Sequence, residues 1–173
     1  MRRAYHNSDA LDFYRIADLT ESNLGVVVAN HTAALRNAQY TREEASALFG
    51  GYVLKVNGVD VYFPQCCGDL SDIRYWQQLV TGNSPISGNG HPAPIVVIKK
   101  DWVKLIFAND QDDEKFEPAP AQKSVDISKE ELRVAVDEAK VELMDLAEKV
   151  KKINHERSLG VKDIDKLLIW GDS

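Results

Sequence analysis

The sequence predicts an α+β fold, with an antiparallel sheet built from hairpins, helices on one face of that sheet, and a long C-terminal amphipathic helix. Three observations lead to this prediction: two hairpin patterns, separated by a helical pattern, and a seven-residue repeat near the C-terminus. Strands do not alternate regularly with helices along the chain, which argues against a doubly wound parallel sheet. We therefore expect antiparallel strands with one covered face.

Both hairpins are predicted from strand-forming residues on either side of a turn. In the first, Asn57-Gly58 suits a type I′ turn because both central residues need positive φ angles. Pro64 should end its second strand, since proline cannot donate a ladder hydrogen bond. In the second, Lys99 to Asp101 supply the polar turn. The predicted strands are 52–56 with 59–63, and 95–98 with 102–107.

Helix signals lie around the first hairpin. Thr41 and Glu44 have the spacing of a capping box and predict a short helix that ends at Phe49. Residues 69–80 begin with several N-cap side chains and carry apolar residues at helical spacing. The stretch 20–35 is ambiguous, because Thr20 could begin a helix while a run of three valines favours a strand.

The long C-terminal helix is predicted by apolar residues that alternate four and three positions apart. On a helix this spacing places them on one stripe, as coiled-coil a and d positions. Ser128 and Glu131 form a capping box at its start, and we expect it to continue to His155 or Glu156. Two interpretations stay open: the stripe packs on the chain's own domain, or it is the seam of a homodimer. The stripe consists of Leu132, Val136, Ala139, Leu143, Leu146, Val150 and Ile153.

These elements predict three regions: an α+β globular body over 1–109, an acidic, proline-containing linker over 110–124, and a C-terminal helical arm over 125–173. The linker is predicted because its carboxylates repel one another and its prolines disfavour regular structure. The arm contains the long helix and a short helix within 161–170.

Composition limits the function and the compartment. The chain of 173 residues has a net charge of -6, whereas nucleic-acid and anionic-membrane binders need concentrated lysine and arginine. We therefore expect neither partner. No apolar run approaches the roughly 20 residues of a membrane span, and no apolar segment follows the basic N-terminus. The two cysteines are adjacent and rarely form a disulfide at that spacing, so we expect a reducing, cytoplasmic location.

The sequence offers weak candidates for chemistry. Cys66 and Cys67 lie between a predicted strand and a helix N-terminus, where a thiolate is favoured, and His91 could serve as a base if the fold brings it close. The competing interpretation is that the cysteines are small buried apolar residues. We expect no metal site, because adjacent cysteines lack the usual ligand spacing, and no cofactor motif is present.

Four further residues are candidates for ligand binding. Asp69 and Asp72 could bind a ligand, although helix capping explains them more simply. Trp76 could line a pocket beneath segment 62–72, although a core position explains it better. Asn89 belongs to a glycine-rich loop over 81–94, which is long enough to have a binding role.

Together these features favour a non-enzymatic, cytosolic protein-interaction module, similar in role to an inhibitor or immunity protein. It would bind a protein partner, or a second copy of itself, through an acidic surface, the long loop or the helix stripe. The alternative is a cysteine-dependent enzyme or thiol sensor that uses Cys66 and Cys67.

Overall fold

The computed structural model describes residues 13–83, 90–108 and 115–172. The α+β prediction is confirmed: within these residues the chain forms five α-helices and two antiparallel sheets, one of two strands and one of three. The helices are α1 (Glu21–His31), α2 (Ala33–Arg36), α3 (Ile73–Thr81), α4 (Lys129–Glu156) and α5 (Ile164–Trp170). The strands are β1 (Leu54–Val56), β2 (Val59–Tyr62), β3 (Ile95–Ile98), β4 (Trp102–Ile106) and β5 (Ser124–Ser128).

The chain divides into two compact units. The first contains the residues up to Ser46 together with those from Val141 onward, and the second runs from Ala47 to Lys140. Helix α4 therefore contributes its C-terminal part to the helical first unit and its N-terminal part to the second unit, which holds both sheets.

Helix α1 settles the ambiguous stretch in the first unit. Thr20 caps it, because its hydroxyl accepts a hydrogen bond from the Asn23 N–H (3.2 Å). The valine run lies inside the helix, where Val28 is buried and its carbonyl accepts a hydrogen bond from the buried Thr32 hydroxyl (2.8 Å). Burial of Val28 thus outweighs the modest strand preference of the run, whose other two valines are exposed.

The capping box at Thr41 is present, but the predicted helix to Phe49 is wrong. Only a 3₁₀ turn over Arg42–Glu44 forms, and the chain then becomes extended. The extended segment is stabilised by Leu48, whose carbonyl accepts a hydrogen bond from the Leu70 N–H (3.0 Å).

Within the first unit, Arg42 donates to the carbonyl oxygens of Lys162 (2.6 Å), Asp163 (3.3 Å) and Asp172 (3.2 Å), at the two ends of α5.

The first hairpin is confirmed in the second unit. Strands β1 and β2 pair antiparallel, with Val56 opposite Val59. Asn57 and Gly58 adopt φ angles of 51° and 79°, as a type I′ turn requires. An ion pair between Lys55 and Asp60 (3.2 Å) joins the two strands.

The second hairpin is also confirmed, and it belongs to a three-stranded sheet in the order β3-β4-β5. Val103 and Leu105 of the central strand are fully buried, and Val125 and Ile127 beside them are also buried. Strand β5 was not predicted from the sequence, and it lies at the start of the expected helical arm.

The described part of the predicted linker is partly packed. Phe116 is buried, and its ring lies 5.9 Å from that of Phe107 and 6.1 Å from that of Tyr62, both edge-on. The Glu117 N–H donates to the buried Gln65 side chain (2.9 Å). These contacts hold one segment of the 110–124 region against the second unit, while the division into body, linker and arm stays a prediction.

Helix α4 begins and ends as expected, and the Ser128 hydroxyl accepts a hydrogen bond from the Glu131 N–H (3.3 Å). Six of the seven stripe residues are buried within the single chain, and Ala139 is partly buried. This arrangement suits packing within the chain, and a seam between two copies stays a prediction. Among the described residues, no helix is both long and apolar enough to cross a membrane.

Candidate functional site

The turn Gln65–Gly68 is where the structure places both candidate cysteines. The Gly68 N–H donates to the Gln65 carbonyl (3.2 Å), which closes a four-residue β-turn. Cys67, the third residue of the turn, has a φ angle of 66°, the feature of a type II turn. Both cysteines are exposed and are thiols, so the interpretation of them as buried apolar residues is wrong. Both side chains lie on a tight turn at the surface, and they therefore do not reach the core.

In this turn the two cysteine side chains meet. Their Sγ atoms lie 3.1 Å apart. In an extended strand, neighbouring side chains point to opposite faces. Here the positive φ angle of Cys67 and the closed turn bring both thiols to the same side.

Backbone contacts fix this turn to two other segments of the second unit. The His91 N–H donates to the Cys66 carbonyl (3.0 Å), and the two residues form an isolated antiparallel bridge. On the other side, the Gly50 N–H donates to the Gly68 carbonyl (3.0 Å). The fold therefore brings the candidate residue His91 beside Cys66, through the main chain.

Asp69 and Asp72 cap the helical segment that follows the turn. Asp69 accepts from the Ser71 N–H (2.8 Å), and Asp72 accepts from the Asp69 N–H (3.2 Å), so the pair forms a capping box. Burial raises the pKa of Asp72 to about 6; its hydrogen bond from Asp69 opposes the rise, and the charge of Asp69 adds to it. Both carboxylates therefore have a structural role.

Trp76 belongs to the core of the second unit rather than to an open pocket. It is buried, and its ring makes edge-on contacts with Tyr62 (6.4 Å) and Tyr75 (5.4 Å). Burial raises the pKa of Tyr62 and of Tyr75, and the nearby Asp72 charge adds to both effects. These aromatic rings pack against one another in the core. The candidate residue Asn89 lies outside the described residues.

Gln65 supports the turn from inside, and it was not among the residues predicted from the sequence. Its side-chain amide donates to the Phe63 carbonyl (2.8 Å), and its Oε1 accepts from the Glu117 N–H. A buried glutamine that uses both ends of its amide holds two chain segments at a fixed distance. No local sequence pattern marks such a residue, because its second partner is distant along the chain.

A second candidate surface is the outer face of the β3-β4-β5 sheet, and it too was not predicted. Because alternate residues of a strand face opposite sides, the buried Val103 and Leu105 place Trp102, Lys104 and Ile106 on the other face. Ile95 pairs with Ile106 and Val97 pairs with Lys104, which adds two aliphatic side chains from β3. We call these five residues the Trp102 face.

The exposure of the Trp102 face is unusual for the outer side of a sheet. Trp102 is 38% exposed and Ile95 is 45% exposed, although antiparallel sheets usually present polar residues to water. Lys104 forms an ion pair with Asp126 on β5 (3.6 Å), so the charge at the centre of the surface is largely balanced. The β3 and β4 part of this face is therefore largely apolar, while β5 contributes the polar residues Ser124, Asp126 and Ser128.

Other local features of the described residues offer less. An open pocket in the first unit is lined by Lys151, Asn154 and neighbouring residues. The side chain of Asn154 is already engaged there, because it donates to the Val161 carbonyl and accepts from the Val161 N–H. No group of three or more metal-binding side chains occurs in the described ranges.

Comparisons with known proteins do not assign the chain to a family. No family model matches it, and neither the curated proteins nor the solved structures contain a match. Two surfaces of the chain therefore bear on its function, the cysteine turn and the Trp102 face.

Proposed function

We propose that this chain is a protein-interaction module that binds a protein partner through the Trp102 face. The single observation that carries this proposal is the exposure of Trp102 and Ile95 on the outer side of a hydrogen-bonded sheet. Tryptophan is enriched at protein interfaces and among the residues that dominate binding energy.

The sheet holds this surface in place before binding. Cross-strand hydrogen bonds fix the backbone of β4 on both sides, because β3 and β5 both pair with it. Neighbouring side chains on one face of a sheet lie close enough to act as one patch. A partner therefore meets an ordered surface, and less conformational entropy is lost on binding than with a flexible loop.

The chemistry of the face indicates the kind of partner. Aliphatic and aromatic side chains flank Lys104, which lies at its centre and forms an ion pair with Asp126. Lys99 and Lys100 are exposed in the turn that joins β3 to β4. The partner is therefore expected to be a folded protein whose binding surface carries an apolar patch with carboxylates near one end. Binding thus depends on this local face more than on the net negative charge of the chain.

The test is affinity capture from cell extract with the full chain and with Trp102→Lys. We expect a protein captured reproducibly by the original chain to bind the purified variant at least about 30-fold more weakly, since loss of a dominant interface residue costs roughly 2 kcal/mol or more. Affinities are measured by calorimetry with the purified partner.

Val59→Lys is the matched control, because Val59 is 53% exposed on β2, in the same unit but outside the Trp102 face. Circular dichroism and thermal unfolding establish that both variants remain folded. Equal weakening by the two variants, or none by Trp102→Lys, would refute the proposal. Light scattering of the purified chain identifies the alternative in which the partner is a second copy.

A further inference from the structure

We infer that Cys66 and Cys67 form a reversible dithiol–disulfide site that reacts with small disulfides such as oxidised glutathione. This activity is separate from the proposed interaction and does not rest on it. The observation that carries it is the distance of 3.1 Å between the two exposed Sγ atoms.

The distance leaves little movement for bond formation. A disulfide has an S–S length of about 2.05 Å, so the sulfurs must approach by only about 1 Å. The turn already places both side chains on one side, through the positive φ angle of Cys67 and the hydrogen bond from Gly68 to Gln65. The backbone bridges to Gly50 and His91 hold this arrangement.

Strain makes the disulfide labile once it has formed. Cα atoms of adjacent residues are about 3.8 Å apart, below the lower end of the usual disulfide range of about 4.4 Å. Strained and exposed disulfides are more readily reduced than structural ones. The bond would therefore form and open in response to the thiol pool, rather than stabilise the fold.

The reaction balances as two thiol exchanges. One cysteine thiolate attacks a sulfur of the small disulfide, forms a mixed disulfide and releases one small thiolate. The second cysteine thiolate then attacks the cysteine sulfur of that mixed disulfide and releases the other small thiolate. The protein loses two electrons and two protons, and the small disulfide gains them to become two thiols.

The test is intact-mass measurement of the folded full chain after incubation with oxidised glutathione. We expect a product lighter by two hydrogen atoms, without a glutathione adduct, that returns to the starting mass with excess reduced glutathione. Cys66→Ser and Cys67→Ser should each stop at one mixed disulfide, because the second thiol is missing. These exposed, nearly isosteric substitutions leave the fold unchanged, as circular dichroism would verify.

Two results would overturn the inference. One is accumulation of one or two glutathione adducts on the original chain, which would mean that the thiols do not react with each other. The other is an oxidised product that runs as a dimer on a non-reducing gel, which would mean that the disulfide joins two chains. Peptide mapping of the lighter product assigns the bond to Cys66 and Cys67.

Discussion

Asp72→Asn tests the partly buried carboxyl that caps the helical segment after the cysteine turn. Asparagine keeps an oxygen that can accept the hydrogen bond from the Asp69 N–H, but it carries no charge at any pH. Because burial raises the pKa of Asp72 in the fold, the unfolded chain loses this proton first as pH rises. Its contribution to stability is therefore complete below about pH 4 and is lost as pH rises through about 6.

The size of this effect follows from the pKa. A rise in the pKa of Asp72 from 3.8 to about 6 corresponds to about 3 kcal/mol of folding free energy, because each pKa unit is worth roughly 1.36 kcal/mol. Asp72 is only partly buried, so solvent screening reduces the contribution, and we expect about 1 kcal/mol. Asp72→Asn should thus gain about 1 kcal/mol over the original chain between pH 4 and pH 7.

The assay is urea unfolding at several pH values and constant ionic strength, followed by tryptophan fluorescence. Asp72→Ala is a useful second variant, because it removes both the charge and the hydrogen-bond acceptor. Its stability should follow the pH dependence of Asp72→Asn but lie about 1 kcal/mol lower, the usual cost of a lost cap. Curves for the original chain and Asp72→Asn that stay parallel from pH 4 to 7 would refute the reasoning.

Two further substitutions test the packing of each unit. Leu143→Ala should lower the free energy of unfolding in urea by about 2–5 kcal/mol, because Leu143 is only 1% exposed. Met144→Ala, at a position that is 53% exposed, should change it by less than about 0.5 kcal/mol. Equal effects would mean that the buried face of α4 is misassigned. Gln65→Ala should lower the free energy of unfolding by about 1–3 kcal/mol, because it leaves the Glu117 N–H without its acceptor. Amide hydrogen exchange at Glu117 should also become faster. Unchanged exchange at Glu117 would contradict the contact.

Local signals in the sequence predicted the elements that depend on local chemistry. Asn57-Gly58 specifies its turn because few other pairs accept two positive φ angles. The start of α4 follows from the Ser128 cap, and its length follows from the apolar residues that recur at helical spacing along it. The α+β class followed from these elements.

Elements stabilised by distant partners were not predictable in the same way. Strand β5 follows β4 only after a long connection rather than a tight turn, and its pairing with β4 is what makes it a strand. The predicted helix before Phe49 failed because Leu48 instead binds the backbone of Leu70. In both cases a tertiary hydrogen bond outweighed a weak local preference.

The candidate site was predicted in part. The sequence identified Cys66 and Cys67 as adjacent thiols before a helix, but their common orientation depends on the φ angle of Cys67 and on a hydrogen bond that closes the turn. The Trp102 face was missed for a different reason. Strand alternation gives two faces, and only the burial of Val103 and Leu105 shows that Trp102 is on the exposed one.

The most direct test of the proposed function is hydrogen–deuterium exchange of the full chain, alone and bound to the captured partner. We predict that binding slows exchange in β3 and β4, at Ile95–Ile98 and Trp102–Ile106, and leaves the Leu54–Val56 and Val59–Tyr62 hairpin unchanged. Slower exchange confined to α4 or to the hairpin, with β3 and β4 unaffected, would contradict the claim that the Trp102 face is the binding surface.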